Sequence, residues 1–478
     1  MILQEATEYF IDKFKRVESQ RGLHGMRRRV GSELKFPMVN LDGSAVDCAL
    51  PEALWDFLGT KDWSPVFDSC VGKVTGAEKK GEMNEHRASC ETGFCKVEFS
   101  LAHMANLHNI HESIQELKSV IHEFSEHFRV AFLGFGLQPL TPPGKHLLMK
   151  KSRNIFWDRI FGGHTHIPEH QGTDVHLFTV SASNQVHIDV QVEEAVDAIN
   201  VFNAFAGPQL ALTANSNIWK GYIHPRYKCL GEIFWDWWLK GTHKARYGVP
   251  EKKFSSLEEY FLSILKFSPV FVKREDKPVG LPYCPSFLDF YSCTDDALQC
   301  ASGCMRRRRC GLLADQTEVK VTKKIHDLDQ HFTFFWHNAR LSRYYTLENR
   351  INDQQPPEEM MTIPALTLGI MENLEDAVRL MNEYPWEVWR KLRIQAACDG
   401  LDAQLEKIRV HDLSTHIVKI AEKGLRKRAL GEEIFLAPLY TRLENRQCPA
   451  DIAAYVFSTQ GYEMFVERYK IKKEEKGS

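Results

Sequence analysis

Four short segments with alternating apolar and polar residues constrain the fold of this chain most strongly. Side chains of a β-strand point alternately to the two faces of its sheet, so each segment predicts a strand with one apolar and one polar face. If one sheet contains all four, it buries the apolar face and gathers the polar side chains on the other. The segments are Arg29–Pro37, Cys95–Ser100, Gln185–Gln191 and Tyr344–Ile351.

The polar positions of these segments carry chemically related side chains. Carboxylate oxygens with a few imidazoles suit Mg²⁺ or Mn²⁺, and interleaved arginines bind phosphates or substrate carboxylates through two parallel hydrogen bonds. For any one segment, an ordinary solvated face with ion pairs is the alternative interpretation. The polar residues that matter most are Glu33, Lys35, Glu98, Gln185, His187, Glu348 and Arg350.

Seven short motifs follow one another between about residues 28 and 380. They are Arg29-Val-Gly-Ser-Glu-Leu-Lys35, Ser89-Cys-Glu-Thr-Gly-Phe-Cys-Lys-Val-Glu98, Phe132-Leu-Gly-Phe-Gly-Leu-Gln-Pro139, Lys151-Ser-Arg153, Ser183-Asn-Gln-Val-His-Ile-Asp189, Ala211-Leu-Thr-Ala-Asn-Ser216 and Arg343-Tyr-Tyr-Thr-Leu-Glu-Asn-Arg350. Each motif alone is a weak match. Their order and intervals together resemble the GCS2 family of glutamate–cysteine ligases and carboxylate–amine ligases. The residues of the motifs are most similar to those of the plant-type enzymes.

The resemblance implies a fold and an activity. Such enzymes bind ATP and divalent metals, Mg²⁺ or Mn²⁺, inside a curved antiparallel sheet related to that of glutamine synthetase. The γ-carboxylate of glutamate attacks ATP to give γ-glutamyl phosphate, and an amine then displaces phosphate. With cysteine as the amine, this is a reaction of glutathione biosynthesis. The sequence does not identify the amine or the oligomeric state.

The resemblance also implies roles for individual residues. Carboxylates at four positions match metal ligands, with a histidine beside them: Glu33, Glu91, Glu98, Glu348 and His187. The residues expected to bind ATP or substrate are Arg153, Arg226, His187, Gln185 and Asn215. Glu33, Arg350 and Lys35 are the expected catalytic residues.

Lys35 departs from the family pattern, which has a second glutamate at this position of the first strand. A lysine cannot ligate a cation unless it is deprotonated. Either one metal position is lost or remade, or Lys35 pairs with a phosphate as a point charge.

Two other classes of function stay open at this point. One is a phosphotransferase resembling the guanidino kinases, in which the same carboxylates and arginines would phosphorylate without ligating. The other is a degenerate family member that acts as a binding or regulatory subunit, for which Lys35 is the supporting feature.

The remaining segments predict an α+β fold with flanking helices. We expect an N-terminal helix within residues 1–27, a catalytic antiparallel-sheet domain over 28–364 and an α-helical region over 365–478. Within the catalytic part, Gly72–Glu85 reads as a loop, Val130–Leu137 as a strand and Ala195–Ala214 as a helix interrupted by Gly207-Pro208.

Composition excludes several partners. The formal net charge of −2 over 478 residues argues against a nucleic-acid surface. The acidic N-terminus lacks the apolar stretch of a secretory signal, and no run of 18 apolar residues predicts a membrane span. We therefore expect a cytoplasmic protein whose partners are small molecules.

Four cysteines surround a basic run, Arg306–Arg309, and could together bind zinc. Their spacing lacks the usual C-x2-C pair, so a polar insertion without metal is the favoured interpretation. A basic loop over an ATP-binding mouth is a third possibility. The cysteines are Cys293, Cys300, Cys304 and Cys310.

Overall fold

A computed structural model describes residues 2–22, 26–81, 84–151, 154, 176–238, 241–275, 277–281, 284–292, 310–312 and 318–474. Within these ranges a large antiparallel sheet is flanked by helices, and helices dominate after residue 362. The predicted mixture of helices with one large antiparallel sheet is therefore confirmed.

The described strands vary from long central ones to two-residue pairs. In chain order they are β1 (Val30–Asn40), β2 (Ser64–Asp68), β3 (Lys73–Lys80), β4 (Glu85–Cys90), β5 (Lys96–Ser100), β6 (Val130–Phe132), β7 (Asn184–Ile188), β8 (Ile218–Trp219), β9 (Tyr222–Ile223), β10 (Tyr247–Gly248), β11 (Phe271–Arg274), β12 (Lys277–Gly280), β13 (Cys310–Leu312), β14 (Glu318–Lys320), β15 (Trp336–His337), β16 (Ala339–Leu341), β17 (Leu347–Asn349), β18 (Gln404–Leu405) and β19 (Ile408–Arg409).

The main sheet joins strands that are far apart in the chain. Its order is β16-β17-β7-β1-β5-β4-β3-β2, and β6 pairs with the C-terminal end of β1. All of these pairings are antiparallel. The four segments predicted as strands thus lie side by side in the centre of one sheet.

The α-helices cover this sheet and build the C-terminal part. They are α1 (Ile2–Arg21), α2 (Leu50–Gly59), α3 (Leu107–Phe128), α4 (Ala195–Ala204), α5 (Ala206–Thr213), α6 (Leu230–Trp238), α7 (Leu257–Leu265), α8 (Phe287–Ser292), α9 (Asp327–His331), α10 (Thr362–Glu372), α11 (Leu374–Asn382), α12 (Trp386–Asp399), α13 (Val410–Arg428), α14 (Ala437–Asn445) and α15 (Pro449–Tyr469). None of the helices in the described ranges is long and apolar enough to cross a membrane.

The apolar positions of the central strands form one side of the core. Helix α10 packs on β7 and β1, and α4 packs on β16 and β17. Burial of this apolar face stabilises the sheet and turns the alternate positions to its other face. The strand residues buried in this way include Leu34, Phe36, Val97, Val186, Ile188 and Leu347.

Helices α10 and α13 approach each other closely through two glycines. A Cβ at Gly424 would lie 1.9 Å from the carbonyl oxygen of Gly369, and a Cβ at Gly369 would lie 2.3 Å from that of Ala421. Any larger residue would force the helices apart, so these positions set the distance between the sheet-covering helix and the C-terminal layer.

Two local predictions were wrong. The expected loop Gly72–Glu85 contains all of β3 and the first residue of β4, and the expected strand Val130–Leu137 ends at Phe132. The predicted interruption of the helix Ala195–Ala214 is present, but the two helices meet at Phe205, and Pro208 lies in the first turn of α5. The division into three domains stays a prediction, and its boundary at 364/365 falls inside α10.

Candidate active site

The strand register places the polar side chains of the central strands in rows. Arg340 of β16 lies opposite Glu348 of β17, and Glu348 lies opposite His187 of β7. In the next strands, Glu33 lies opposite Gln185, and Lys35 opposite Glu98. Directly opposite residues have Cβ atoms about 5 Å apart, so charges from five strands meet on one face.

We call this group the sheet cluster. It consists of Glu33, Lys35, Glu91, Glu98, Gln185, His187, Arg340, Glu348 and Arg350.

Lys35 lies between two carboxylates. Its Nζ is 3.1 Å from Oε2 of Glu98 and 3.5 Å from Oε2 of Glu33, and it donates to Oε1 of Gln185 at 3.1 Å. The lysine is buried, and its partners come from β1 itself, β5 and β7. The sequence-based expectation that Lys35 shares a face with Glu33 is confirmed by these contacts.

His187 connects Glu33 to the turn between β16 and β17. Its Nε2 lies 3.0 Å from Oε1 of Glu33, and its Nδ1 lies 2.9 Å from Oγ1 of Thr346. A carboxylate only accepts hydrogen bonds, so Nε2 carries a proton. Gly31 lies opposite His187 in β1.

Two arginines enclose the carboxylate of Glu348. Nε of Arg340 donates to Oε2 at 2.8 Å, and Nη1 of Arg350 donates to Oε1. Nη1 of Arg350 also lies 3.2 Å from Oε1 of Gln185. Sequence reasoning missed Arg340, which lies in the three-residue strand just before the last motif.

The surrounding charges shift the pKa values of the carboxylates in opposite directions. Burial works to raise the pKa of Glu33, but the Lys35 ammonium and the His187 imidazole lower it to about 2. Burial raises the pKa of Glu98, and the negative charges of Glu33 and Glu91 raise it further. Together they outweigh the lowering effect of the Lys35 ammonium, and the pKa of Glu98 is about 7. These two carboxylates therefore differ in protonation near neutral pH.

Burial and neighbouring charges also shift the pKa values of Glu348 and His187. Burial opposes ionisation of Glu348, but Arg340 and Arg350 hold its pKa well below the usual range. Burial lowers the pKa of His187, but its hydrogen bond and charge interaction with Glu33 outweigh this and raise it.

The donor atoms of three cluster members fit a hard divalent cation. One ligand atom each from Glu33, His187 and Glu348 lie within 4.8 Å of one another. A carboxylate has about four lone-pair positions, so Glu348 keeps acceptor capacity beside its two arginines. Between Glu33 and Glu98, in contrast, the Lys35 ammonium already takes the central position.

The cluster lines a cavity of about 1380 Å³. Small-molecule pockets commonly measure roughly 300–1,000 Å³, so this one has room for a nucleotide together with smaller substrates. An aromatic wall lines the same cavity. There the ring centroid of Trp235 lies 4.1 Å from that of Phe178 and 5.3 Å from that of Trp336.

The remaining predicted site residues fall into different places. Glu91 lines the cavity and hydrogen bonds with Glu98. Asn215 is fully buried, and its side chain donates to the backbone oxygens of Gly134 at 3.0 Å and Gln354 at 2.8 Å. Arg226 is exposed, with its guanidinium 5.0 Å from the ring centroid of Tyr227.

Neither Asn215 nor Arg226 is among the described residues that line the cavity. Arg153, Cys293, Cys300 and Cys304 lie outside the described residues, so the zinc hypothesis stays untested. The backbone of Cys310 begins β13, where it lies opposite Lys320.

Comparisons with known proteins give one consistent assignment. Residues 66–465 match the model of glutamate–cysteine ligase family 2, GCS2. The chloroplastic glutamate–cysteine ligase of Nicotiana tabacum is 23% identical over 412 residues, which cover 82% of this chain and 68% of the relative. The chloroplastic enzyme of Solanum lycopersicum is 24% identical over 413 residues, with the same coverage of both chains.

A solved structure shares the fold. The glutamate–cysteine ligase of Francisella tularensis, solved in complex with AMP, superposes with a TM-score of 0.51 at 10% sequence identity. The superposition covers 92% of this chain and 87% of the other. Because the family model spans most of the sequence, the resemblance inferred from the seven motifs is confirmed: this chain belongs to glutamate–cysteine ligase family 2, a family of ATP-dependent ligases.

Proposed function

We propose that this protein joins the γ-carboxyl group of glutamate to the amine of cysteine in an ATP-dependent reaction. The observation that carries the proposal is the sheet cluster, in which carboxylates, an imidazole and guanidinium groups from separate strands meet at one cavity. The relatives named glutamate–cysteine ligase and the AMP complex of the Francisella enzyme support the choice of substrates.

The reaction needs charge neutralisation and positioning rather than a nucleophilic side chain. Glutamate attacks the terminal phosphate of ATP to give γ-glutamyl phosphate and ADP, and the amine then displaces phosphate. Phosphoryl transfer depends on cations placed around the phosphate oxygens and on alignment of the reacting groups. Arg340 and Arg350 supply fixed guanidinium groups at the cavity, held in place by Glu348.

Glu33, His187 and Glu348 would hold Mg²⁺ or Mn²⁺, because their ligand atoms converge and are of the types that these ions accept. Such an ion supplies positive charge toward phosphate oxygens. Glu33 is ionised at neutral pH, because Lys35 and His187 lower its pKa. Thr346 orients His187 through its ring Nδ1 and so fixes the nitrogen that faces Glu33.

The proposal includes three finer points from the sequence. These are the curvature of the sheet in the manner of glutamine synthetase, Mg²⁺ or Mn²⁺ as the ion, and a cytoplasmic location. The plant relatives are named chloroplastic, so the proposed location rests on the sequence alone.

A product assay tests the proposed function. The protein is incubated with ATP, Mg²⁺ and L-glutamate, together with cysteine or each of a panel of other amines, and products are identified by mass. We expect a γ-glutamyl amide with stoichiometric ADP and phosphate, and no product when EDTA is present. Glu33→Gln should lose this activity, whereas Glu375→Gln, an exposed carboxylate on α11, should keep it.

Two results would contradict the proposal. A stable phosphoguanidine formed from a guanidino substrate would identify a kinase-like phosphotransferase. Absence of glutamate-dependent ATP turnover with every amine tested would identify a binding or regulatory protein.

A further inference from the structure

We propose that the Lys35 ammonium is a fixed internal cation that takes the place of one divalent ion between Glu33 and Glu98. The inference deepens the proposed function, because it concerns the number of metal ions in the same site. The sequence left two roles open for Lys35, a changed metal site or pairing with a phosphate, and this inference favours the changed metal site.

The first support is the set of contacts made by the ammonium group. Three oxygens surround Nζ, at 3.1 Å on Glu98, 3.1 Å on Gln185 and 3.5 Å on Glu33. The ammonium donates a hydrogen bond to Gln185 and forms ion pairs with both carboxylates, so its positive charge is already paired within the sheet cluster.

The second support is the rigid placement of the residue. The backbone N–H of Lys35 donates to the carbonyl of Ser183 at 3.0 Å, and Nε2 of Gln354 donates to the carbonyl of Lys35 at 2.9 Å. Only 10% of the side chain is exposed. The ammonium is therefore held among its three partners at the cavity wall.

The third support is the balance of charge. The carboxylates of Glu33, Glu91, Glu98 and Glu348 face the cationic side chains of Lys35, Arg340 and Arg350 in the sheet cluster. Glutamate at position 35 would remove one positive charge and add one negative charge. An additional bound cation would compensate this change, because uncompensated buried charge is strongly unfavourable.

The two sides of Glu33 are consequently different. Oε1 faces His187 and the ligand group that it forms with Glu348, where a divalent ion fits. Oε2 faces Lys35, where a divalent ion would meet a positive charge within a few ångströms. We expect the site to bind one divalent ion fewer than it would with glutamate at position 35.

Counting bound Mn²⁺ tests this inference without depending on ligase activity. The full-length protein is titrated with Mn²⁺, and free Mn²⁺ is followed by electron paramagnetic resonance. Lys35→Glu should bind one more Mn²⁺ than the unsubstituted protein. Equal stoichiometry in the two proteins would overturn the inference, whether or not the product assay has succeeded.

A second variant keeps the test decisive if Lys35→Glu does not fold. Lys35→Met removes the charge without adding a ligand. Between Glu33 and Glu98, this variant should bind Mn²⁺ at least about tenfold more tightly than the unsubstituted protein does. Its thermal unfolding temperature should rise with added Mn²⁺ by more than that of the unsubstituted protein, because ligands that bind only the folded state stabilise it.

Lys118→Met is the matched control. Lys118 is also buried and ion-paired, but its partners Glu358 and Glu474 lie away from the cavity lining. Its Mn²⁺ affinity and the Mn²⁺ dependence of its unfolding temperature should equal those of the unsubstituted protein. If Lys35→Met behaves like Lys118→Met in both measurements, Lys35 does not replace an ion.

Discussion

Two buried charge clusters differ in what surrounds them. In the helix cluster, Arg393 of α12 donates from Nε to Glu232 of α6 at 2.7 Å and from Nη2 to Asp236 at 2.9 Å. Asn338 and Tyr247 donate to the same two carboxylates at 2.7 and 3.2 Å. In the sheet cluster, every charged side chain lines a large cavity, whereas in the helix cluster Glu232 and Asn338 line that cavity but Arg393, Asp236 and Tyr247 do not.

The difference separates structural from chemical use of buried charge. The helix cluster joins two helices through one arginine that forms ion pairs with two adjacent carboxylates. The sheet cluster places several carboxylates close enough to shift one another's pKa values, which costs free energy without a bound cation. We therefore expect substitutions in the sheet cluster to affect activity first, and substitutions in the helix cluster to affect stability first.

The largest expected effect is that of Glu33→Gln on catalysis. The change removes the charge that faces both Lys35 and His187, so kcat/KM should fall about 10³-fold, as for loss of a central electrostatic group. Steady-state kinetics measures this, and thermal unfolding should show a change of only a few degrees. A variant with near-normal kcat/KM would remove Glu33 from the site.

Arg393→Met should show the opposite pattern. Removing one partner of a buried ion pair leaves carboxylates without compensation and should lower the free energy of unfolding by about 3–5 kcal/mol. Chemical denaturation measures the loss, and kcat of the folded fraction should change less than about tenfold. Arg379→Met, in an exposed helical pair, is the control and should cost under about 1 kcal/mol. A loss as small as that of this control would show that the two clusters do not differ in this way.

Arg350→Lys sharpens the comparison within the sheet cluster. Lysine keeps the charge but loses the planar fork that contacts both Glu348 and Gln185. We expect kcat/KM to fall about 10- to 100-fold, with a raised KM for ATP if the fork binds phosphate. Unchanged kinetic constants would assign Arg350 to support of Glu348 alone.

The smallest expected effect is a pH dependence of stability. The pKa of Glu98 in the folded protein is about 7, above the ordinary value of 4.5, so the folded state binds more protons between these values. Its contribution to stability therefore falls as the pH rises from 4.5 to 7. Glu98→Gln removes this loss.

As the pH rises from 4.5 to 8, the unsubstituted protein should lose about 1–3 kcal/mol of unfolding free energy that the Glu98→Gln variant does not lose. Urea denaturation at several pH values measures the difference. A constant difference across this range would mean that Glu98 has an ordinary pKa.

The sequence predicted the centre of the site better than its edges. Alternation alone identifies the shared face of Glu33 and Lys35, because a strand buried on one side must turn alternate residues to the other. Strand β3 was read as a loop because Lys73–Lys80 lies near the sheet edge, where charged residues replace the apolar pattern. Asn215 came only from a motif match, and the structure shows it bonding to backbone groups in the core.

Arg340 could not be ranked from the sequence for a different reason. Its strand has only three residues, too short for alternation to stand out from chance. Its role depends on pairing with β17 through a tight turn in which Tyr345 adopts a positive φ of 57°. Such a turn carries no glycine or Asn-Gly signal in this sequence, so only the second strand of the hairpin, within Tyr344–Ile351, was predicted.

The order of strands in the sheet has a consequence for folding. Glu33, Glu98, His187 and Glu348 are separated by long stretches of chain, yet they meet on neighbouring strands. Pairings between distant segments form slowly, because each must close a long loop before its contacts are gained. Binding of a divalent ion during refolding should therefore report the completed sheet, and appear with the slowest phase rather than with the early formation of the helices.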